Sequence, residues 1–319
     1  MKTALRLILP LSIVLAACGG AGGVAATVDG VEITVEDIQE LVAAEGAVDA
    51  EFFRTQLQGK IVSQAVLGAA EEEFDITASG EEIETQYQEF KIQLESSAET
   101  YEAALEANGI TDERVRQAAR EQIIADSLRE RLIEETPAIE DAEVATEFDA
   151  NSVAYRTGCV KHILVETEEA ALEVKARLDG GEDFATVAGE TSIEPQATES
   201  GGDLGCSTLD RYVPEFTVGA LAAEIGVVTD PVQTEFGYHL ILVESLEDDA
   251  TVESTIRTQL ESIAQQTFFS EWIQEILTST EITVDEEYGE WVTDPQPGIV
   301  PPADESVEAP AETTPTTGG

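Results

Sequence analysis

The chain has two histidines, His162 and His239, and each lies in a short apolar run: Lys161-His162-Ile163-Leu164-Val165 and Gly237-Tyr238-His239-Leu240-Ile241. Between them stands Ser200-Gly201-Gly202-Asp203-Leu204-Gly205. A neutral imidazole offers one donor and one acceptor, so two of them can bond to each other, orient a site or move a proton. A histidine on a strand is as readily a core residue whose hydrogen bonds are satisfied. Residue type alone leaves both readings standing. No metal-ligand or nucleophile pattern accompanies the histidines, and neither a metal nor a cofactor is expected.

The elements that must position these residues form a small α/β unit. His162 to Val165 reads as a strand that stops at a charged stretch. Thr167 caps a helix with Glu168 and Glu169 in its first turn, Ala171, Val174 and Leu178 at helical spacing, and Gly180-Gly181 at its end. Asp183 caps a second short helix with Phe184, Val187 and Ala188 on one face. Gly201-Gly202 marks a loop. Phe236-Gly237 turns the chain into a last strand, whose alternation puts Tyr238, Leu240 and Leu242 on one face and His239, Ile241 and Val243 on the other.

In order and spacing these three motifs resemble the parvulin family of peptidyl-prolyl cis-trans isomerases, over about residues 155–247. The resemblance implies a four-stranded antiparallel sheet with surrounding helices, and a substrate proline held in a shallow apolar pocket. It places His162 and His239 side by side on adjacent strands, joined by a hydrogen bond that orients the site rather than transferring protons. Leu204, Tyr212 and Phe216 are expected to line the prolyl pocket. Many relatives carry methionine where this chain has Tyr212, whose hydroxyl needs a partner. Thr234 is expected near the histidines. Glu194 falls near the position of an Asp or Cys in relatives, where a carboxylate would repel the carbonyl oxygen of a planar amide.

The first residues read as a processing signal: Lys2 and Arg6 are basic, and Leu7 to Val14 are mostly apolar. Leu15-Ala16-Ala17-Cys18 resembles the lipobox of bacterial lipoproteins, which implies cleavage before Cys18 and a lipid on its sulfur. An ordinary signal peptide cut after small residues is the alternative. The apolar run is shorter than the roughly 20 residues of a membrane span, so the expected location is the extracytoplasmic face of the cell membrane, held by a lipid anchor. The chain carries 66 acidic and 16 basic residues, a formal charge of −50. Phosphates would be repelled, which argues against nucleic acid as a partner.

With Cys18 assigned to the lipid, Cys159 and Cys206 remain. An exported protein lives where disulfides persist. The two flank the first strand and the glycine-rich loop of the parvulin-like stretch and are expected to pair; two buried free thiols are the alternative.

Ahead of this unit runs a helical block. Thr27-Val28 and Val31-Glu32-Ile33 read as strands around Asp29-Gly30, and Thr34 with Asp37 caps a helix. Residues 51–73 carry Phe53, Leu57 and Ile61 at helical spacing; Ser79 caps a segment with Ile83, Tyr87, Phe90 and Leu94; Thr111 caps a long helix with Val115, Ile123, Leu128 and Leu132. Beyond Glu247-Asp248-Asp249, Ile256, Leu260, Ile263, Phe268, Trp272 and Ile276 form one stripe, followed by a strand at Ile282 to Val284. The phrases Asn108-Gly109-Ile110-Thr111 and Val28-Asp29-Gly30-Val31-Glu32-Ile33-Thr34 resemble extracytoplasmic foldases of the PrsA and SurA type. That likeness implies that Ile282 to Val284 pairs with the strand around Val28 to Ile33. The fold class is therefore α+β: a helical, chaperone-like domain built from N- and C-terminal segments, with a parvulin domain inserted. The expected boundaries are a signal peptide at 1–17, a spacer at 18–26, the helical domain at 27–150, the isomerase at 155–247, returning segments at 250–292 and a disordered tail at 293–319.

The expected function is a membrane-anchored isomerase and chaperone acting on unfolded exported polypeptides with X–Pro bonds. The alternatives are a binding-only chaperone with a weak or inactive parvulin unit, and a structural envelope lipoprotein.

Overall fold

The computed structural model describes residues 23–42, 49–96 and 98–302. The signal segment and Cys18 lie outside the described residues, as does the chain after 302. In chain order the elements are β1 (Val24–Val28), β2 (Val31–Thr34), α1 (Val35–Val42), α2 (Ala50–Phe74), α3 (Gly80–Glu95), α4 (Tyr101–Asn108), α5 (Asp112–Glu135), α6 (Asp141–Tyr155), β3 (Thr157–Val165), α7 (Glu168–Asp179), α8 (Phe184–Thr191), α9 (Ala197–Ser200), β4 (Asp203–Thr208), α10 (Pro214–Ala222), β5 (Val232–Thr234), β6 (Gly237–Leu246), α11 (Asp249–Ser279), β7 (Ile282–Val284), β8 (Glu290–Val292) and β9 (Gly298–Val300). A 3-10 turn, Leu209–Arg211, links β4 to α10. Two compact units result: residues up to Thr136 with those from Gln265 onward, and Pro137–Ala264.

In the first unit, side chains set the helix starts. Thr34 N–H donates to Asp37 Oδ2 at 2.7 Å and Asp37 N–H to Thr34 Oγ1 at 3.2 Å. Ser79 and Glu82 close the same reciprocal box at α3, and Thr111 caps α5; such caps contribute about 1 kcal/mol each. The core joins Leu57 and Ile61 of α2, Ile124 and Leu128 of α5, and Trp272 and Ile276 of α11. Ile124 is the buried residue of its pair, whereas the stripe in the sequence points to Ile123.

β7 does pair with the N-terminal strands, but against β1 alone: Ala26 faces Val284 and Val28 faces Ile282, while β2 forms the other edge. The strand starts at Val24, inside the stretch expected to be a spacer to residue 26. Ala25 and Ala26 are fully buried in this central strand, where packing and pairing outweigh alanine's weak strand propensity. The tail, expected to be disordered from residue 293, continues as β9 antiparallel to β8. Ile299 packs on the core and its N–H donates to Gln58 Oε1 at 3.2 Å. Pairing with β8 and the packing of Ile299 hold the segment despite its Pro-rich surroundings.

The second unit is a four-stranded antiparallel sheet in the order β4-β3-β6-β5. Alternation along the strands feeds two cores. Ile163, Val165 and Leu240 meet Val174 of α7 and Val187 of α8. Val160, Ile241 and Val243 meet Phe216 and Ala220 of α10. A third cluster sets Val144 of α6 against Val252 and Ile256 of α11. This cluster, with the Arg156–Asp249 ion pair, joins α6 and the first part of α11 to the compact unit, which runs from 137 to 264. Ile263, assigned to the apolar stripe of α11, is half exposed.

Candidate active site

β3 and β6 are neighbours, with His162 opposite Ile241 and Leu164 opposite His239. This register brings the two imidazoles together on the sheet face that carries Phe216. Nδ1 of His162 lies 3.1 Å from Nδ1 of His239, the ring centroids are 5.3 Å apart, and the planes are inclined by 20°. Both side chains are buried, at 4% and 5% exposure. His162 Nε2 meets Glu194 Oε2 at 2.5 Å. His239 Nε2 meets Thr234 Oγ1 at 2.9 Å, and Phe236 N–H donates to that same Oγ1 at 3.1 Å.

With Glu194 a carboxylate and both rings neutral, a single proton arrangement satisfies this chain. His162 Nε2–H donates to Glu194, His239 Nδ1–H donates to His162 Nδ1, the Thr234 hydroxyl donates to His239 Nε2, and the Thr234 oxygen accepts from Phe236. Reversing the direction requires a proton on Glu194. Burial, reinforced by the neighbouring His162 and opposed by Glu194, pushes the His239 pKa down to about 4, so this ring stays neutral near pH 7.

Local backbone holds the chain in place. His162 N–H donates to Gly202 O at 2.9 Å. A Cβ at position 202 would sit 2.3 Å from His162 O, and φ is +76°, so only glycine fits this crossing. At the other end of β3, Gly237 has φ +132° and a Cβ there would lie 2.4 Å from Val165 O. Glu194 is held through its neighbours: Ile193 N–H donates to Leu164 O at 2.8 Å, and Leu164 N–H to Ser192 Oγ at 3.3 Å. Ser192 escapes notice in the sequence. Its one signal is a hydroxyl at the end of α8, the kind of side chain that bonds to nearby backbone.

The apolar wall is aromatic. Phe216 stands edge-on to both imidazoles, 5.7 Å from His162 and 5.3 Å from His239. Tyr212 lies 4.8 Å from Phe216, and its hydroxyl finds the partner it needs in Ser207 Oγ at 3.2 Å. Leu204 lies on β4 and is 36% exposed, outside the buried cluster around Phe216. Ile193 and Phe236, each exposed, leave apolar surface beside the two ends of the polar chain. Cys159 and Cys206 face each other across β3 and β4 and are joined, with S–S 2.00 Å. Among the described residues no three His, Cys, Asp or Glu side chains are placed to hold a metal, and no helix is long and apolar enough to cross a membrane.

Paired imidazoles on neighbouring strands of a four-stranded antiparallel sheet, facing an aromatic wall, define the class. Residues 160–245 match the family model for the rotamase, PPIC-type PPIase domain, and the second unit is a parvulin-type peptidyl-prolyl cis-trans isomerase domain. The foldase protein PrsA of Clostridium kluyveri is 35% identical over 224 residues, which cover 66% of this chain and 66% of that protein. The foldase protein PrsA of Halalkalibacterium halodurans is 33% identical over 242 residues, covering 74% and 70%. The chain thus matches about two thirds of the length of these relatives, and it belongs to the PrsA foldase family. The crystal structure of the peptidylprolyl isomerase PrsA from Bacillus anthracis aligns with 69% of this chain and 96% of that one at 25% identity, with a TM-score of 0.30.

Proposed function

We propose that the protein is a lipid-anchored foldase outside the cytoplasm, which isomerises X–Pro bonds in exported chains and shields those chains while they fold. The observation that carries the isomerase half is the ordered polar chain of Glu194, His162, His239 and Thr234 ending against Phe216. Prolyl isomerisation breaks no covalent bond; its barrier is the loss of amide conjugation, about 18–20 kcal/mol. A catalyst need only favour the twisted amide over the planar one. Phe216 and Tyr212 offer the ring an apolar seat. The imidazole pair works as a fixed floor rather than as an acid or base, because each ring nitrogen is already committed to a neighbour. The Glu194 carboxylate repels the carbonyl oxygen in the planar amide and so disfavours the ground state. Leu204, at the exposed edge, bounds the seat.

The anchor half is supported by the Leu15-Ala16-Ala17-Cys18 motif. Lipid on Cys18 predicts that the protein partitions with membranes and that Cys18→Ser releases it. The shielding half is supported by the family and assigns the client surface to the first unit.

The test is cis/trans exchange in a short X–Pro peptide, followed by NMR. The expected result is acceleration by the wild-type protein and a loss of about tenfold or more in Glu194→Gln, in line with the roughly 10²–10³ that one electrostatic contributor supplies in other enzymes. Unchanged exchange in Glu194→Gln removes the carboxylate from the mechanism. No acceleration by the wild type, together with retained suppression of client aggregation, leaves a binding-only chaperone.

A further inference from the structure

The second unit contains six Lys and Arg residues in a chain of formal charge −50. Five are committed to carboxylates: Arg156 to Asp249, Lys161 to Glu244, Lys175 to Asp179, Arg177 to Glu182 and Glu190, and Arg257 to Asp141. Arg211 alone has no partner among the described residues. It is exposed and directly precedes Tyr212, whose ring packs on Phe216 in the prolyl wall.

The local structure keeps Arg211 unpaired although acidic residues stand close in sequence. Asp210 is turned back, accepting from Thr208 Oγ1 at 2.6 Å. The turn is fixed from both sides: Leu209 is fully buried, its N–H donates to Arg156 O at 3.2 Å, and its carbonyl accepts the Thr217 hydroxyl at 2.8 Å. Glu215, in the first turn of α10, makes no ion pair with Arg211 either. The Glu194 carboxylate stands on His162, and the unpaired, exposed Arg211 is the chain neighbour of Tyr212 in the aromatic wall.

We propose that Arg211 is a specificity-determining residue that pairs with a carboxylate side chain flanking the proline of the client, so that the preferred substrates are X–Pro segments with an adjacent Asp or Glu. This rests on the isomerase reading and narrows its substrate class. A guanidinium suits the task because its fork of N–H donors matches a carboxylate in a bidentate way. The surrounding surface sharpens the choice: away from Arg211 a carboxylate meets cations that already hold carboxylates of the chain.

The experiment measures exchange rates and peptide affinities with full-length protein, for peptides that differ only in Glu or Gln immediately before the proline, immediately after it, or six residues away. The expected result is a preference for Glu of about 2- to 5-fold at one adjacent position, the range of an exposed ion pair, and none or the opposite at the distant position. Arg211→Gln should abolish the preference while leaving turnover of the Gln peptides intact, and Arg211→Glu should invert it. Raising salt from low to about 0.5 M should shrink the preference. Equal handling of Glu and Gln by the wild type at both adjacent positions overturns the proposal, as does a preference that survives in Arg211→Gln. Absence of turnover on every peptide would instead fault the isomerase reading, and the affinity series would then decide the role of Arg211 by the same comparison.

Discussion

Each unit contains a linked set of polar side chains at an otherwise apolar contact, and the two sets differ in what they leave exposed. In the first unit Asp112 Oδ1 accepts from Tyr87 at 2.5 Å and Tyr101 at 3.0 Å. Arg116 lies over the Tyr87 ring and bonds to Glu84, and Lys91 lies over Tyr101. Hydrogen bonds from Tyr87 and Tyr101 hold the Asp112 carboxyl below its ordinary range, and burial raises the Tyr101 phenol further above its own. The set joins α3, α4 and α5, and its members bond and stack on one another. In the second unit the chain from Glu194 to Thr234 is equally linked but stands beside Phe216, which is edge-on to its imidazoles, and its Glu194 end is partly open at 36% side-chain exposure. Linked polar groups fasten helices in one place and, in the proposed function, floor a site in the other. Both sets include aromatic rings; the difference is the partly open Glu194 end of the second set and the exposed Ile193 and Phe236 beside that set.

Four perturbations would break or sharpen that contrast. The largest effect is expected from Trp272→Ala. Trp272 is 9% exposed in the first unit's core and donates to Glu73 Oε2 at 3.0 Å. Loss of about 3–5 kcal/mol should show in thermal unfolding of that unit while exchange of a short X–Pro peptide persists. If the exchange falls as well, the two regions are not separable in function.

Removal of the Cys159–Cys206 bond by Ser at both positions should cost about 2–4 kcal/mol in the second unit, read as a lower denaturant midpoint, and leave the first unit's transition unmoved. Acid should act on the second unit through His239. The unfolded histidine takes its proton near the reference value of 6.5 and the folded one only near 4. The contribution is whole above pH 6.5 and is lost as pH falls from 6.5 to about 4, a total of about 3 kcal/mol. Equilibrium unfolding across that range, compared with His239→Gln, checks it; the variant should lose most of the slope. The smallest change is Asp112→Asn, which leaves two tyrosine hydroxyls with a weaker acceptor. It should destabilise the first unit by about 1–2 kcal/mol with no change in peptide exchange.

The site was more legible in the sequence than the outlines of the units. The resemblance to the parvulin family implied one neighbourhood for both histidines, Thr234, Phe216 and Tyr212; in the structure the register of β3 against β6 brings the two imidazoles together. Glu194 was harder, since its loop has no periodicity. What joins it to the site is backbone bonding through Ile193 and a hydroxyl from Ser192. Helix starts at Thr34, Ser79, Thr111 and Thr167 were readable because a cap is a local event. The strand starting at Val24 was not, because two alanines carry no strand signal and are held by pairing with residues over 250 positions away. The same applies to Ile299, whose place depends on Gln58. The limits at 137 and 264 come from α6 packing on α11, a contact between segments that periodicity describes only singly.

We propose that the two imidazoles, hydrogen-bonded in a single direction between Glu194 and Thr234, floor the apolar site. Nitrogen-15 NMR of the two histidines during an acid titration tests it most directly. The expected spectra near pH 7 show His162 protonated on Nε2 and His239 on Nδ1, with the His239 signal unchanged until pH falls toward about 4. A His239 that titrates near 6.5, or two rings with the opposite tautomers, would contradict it.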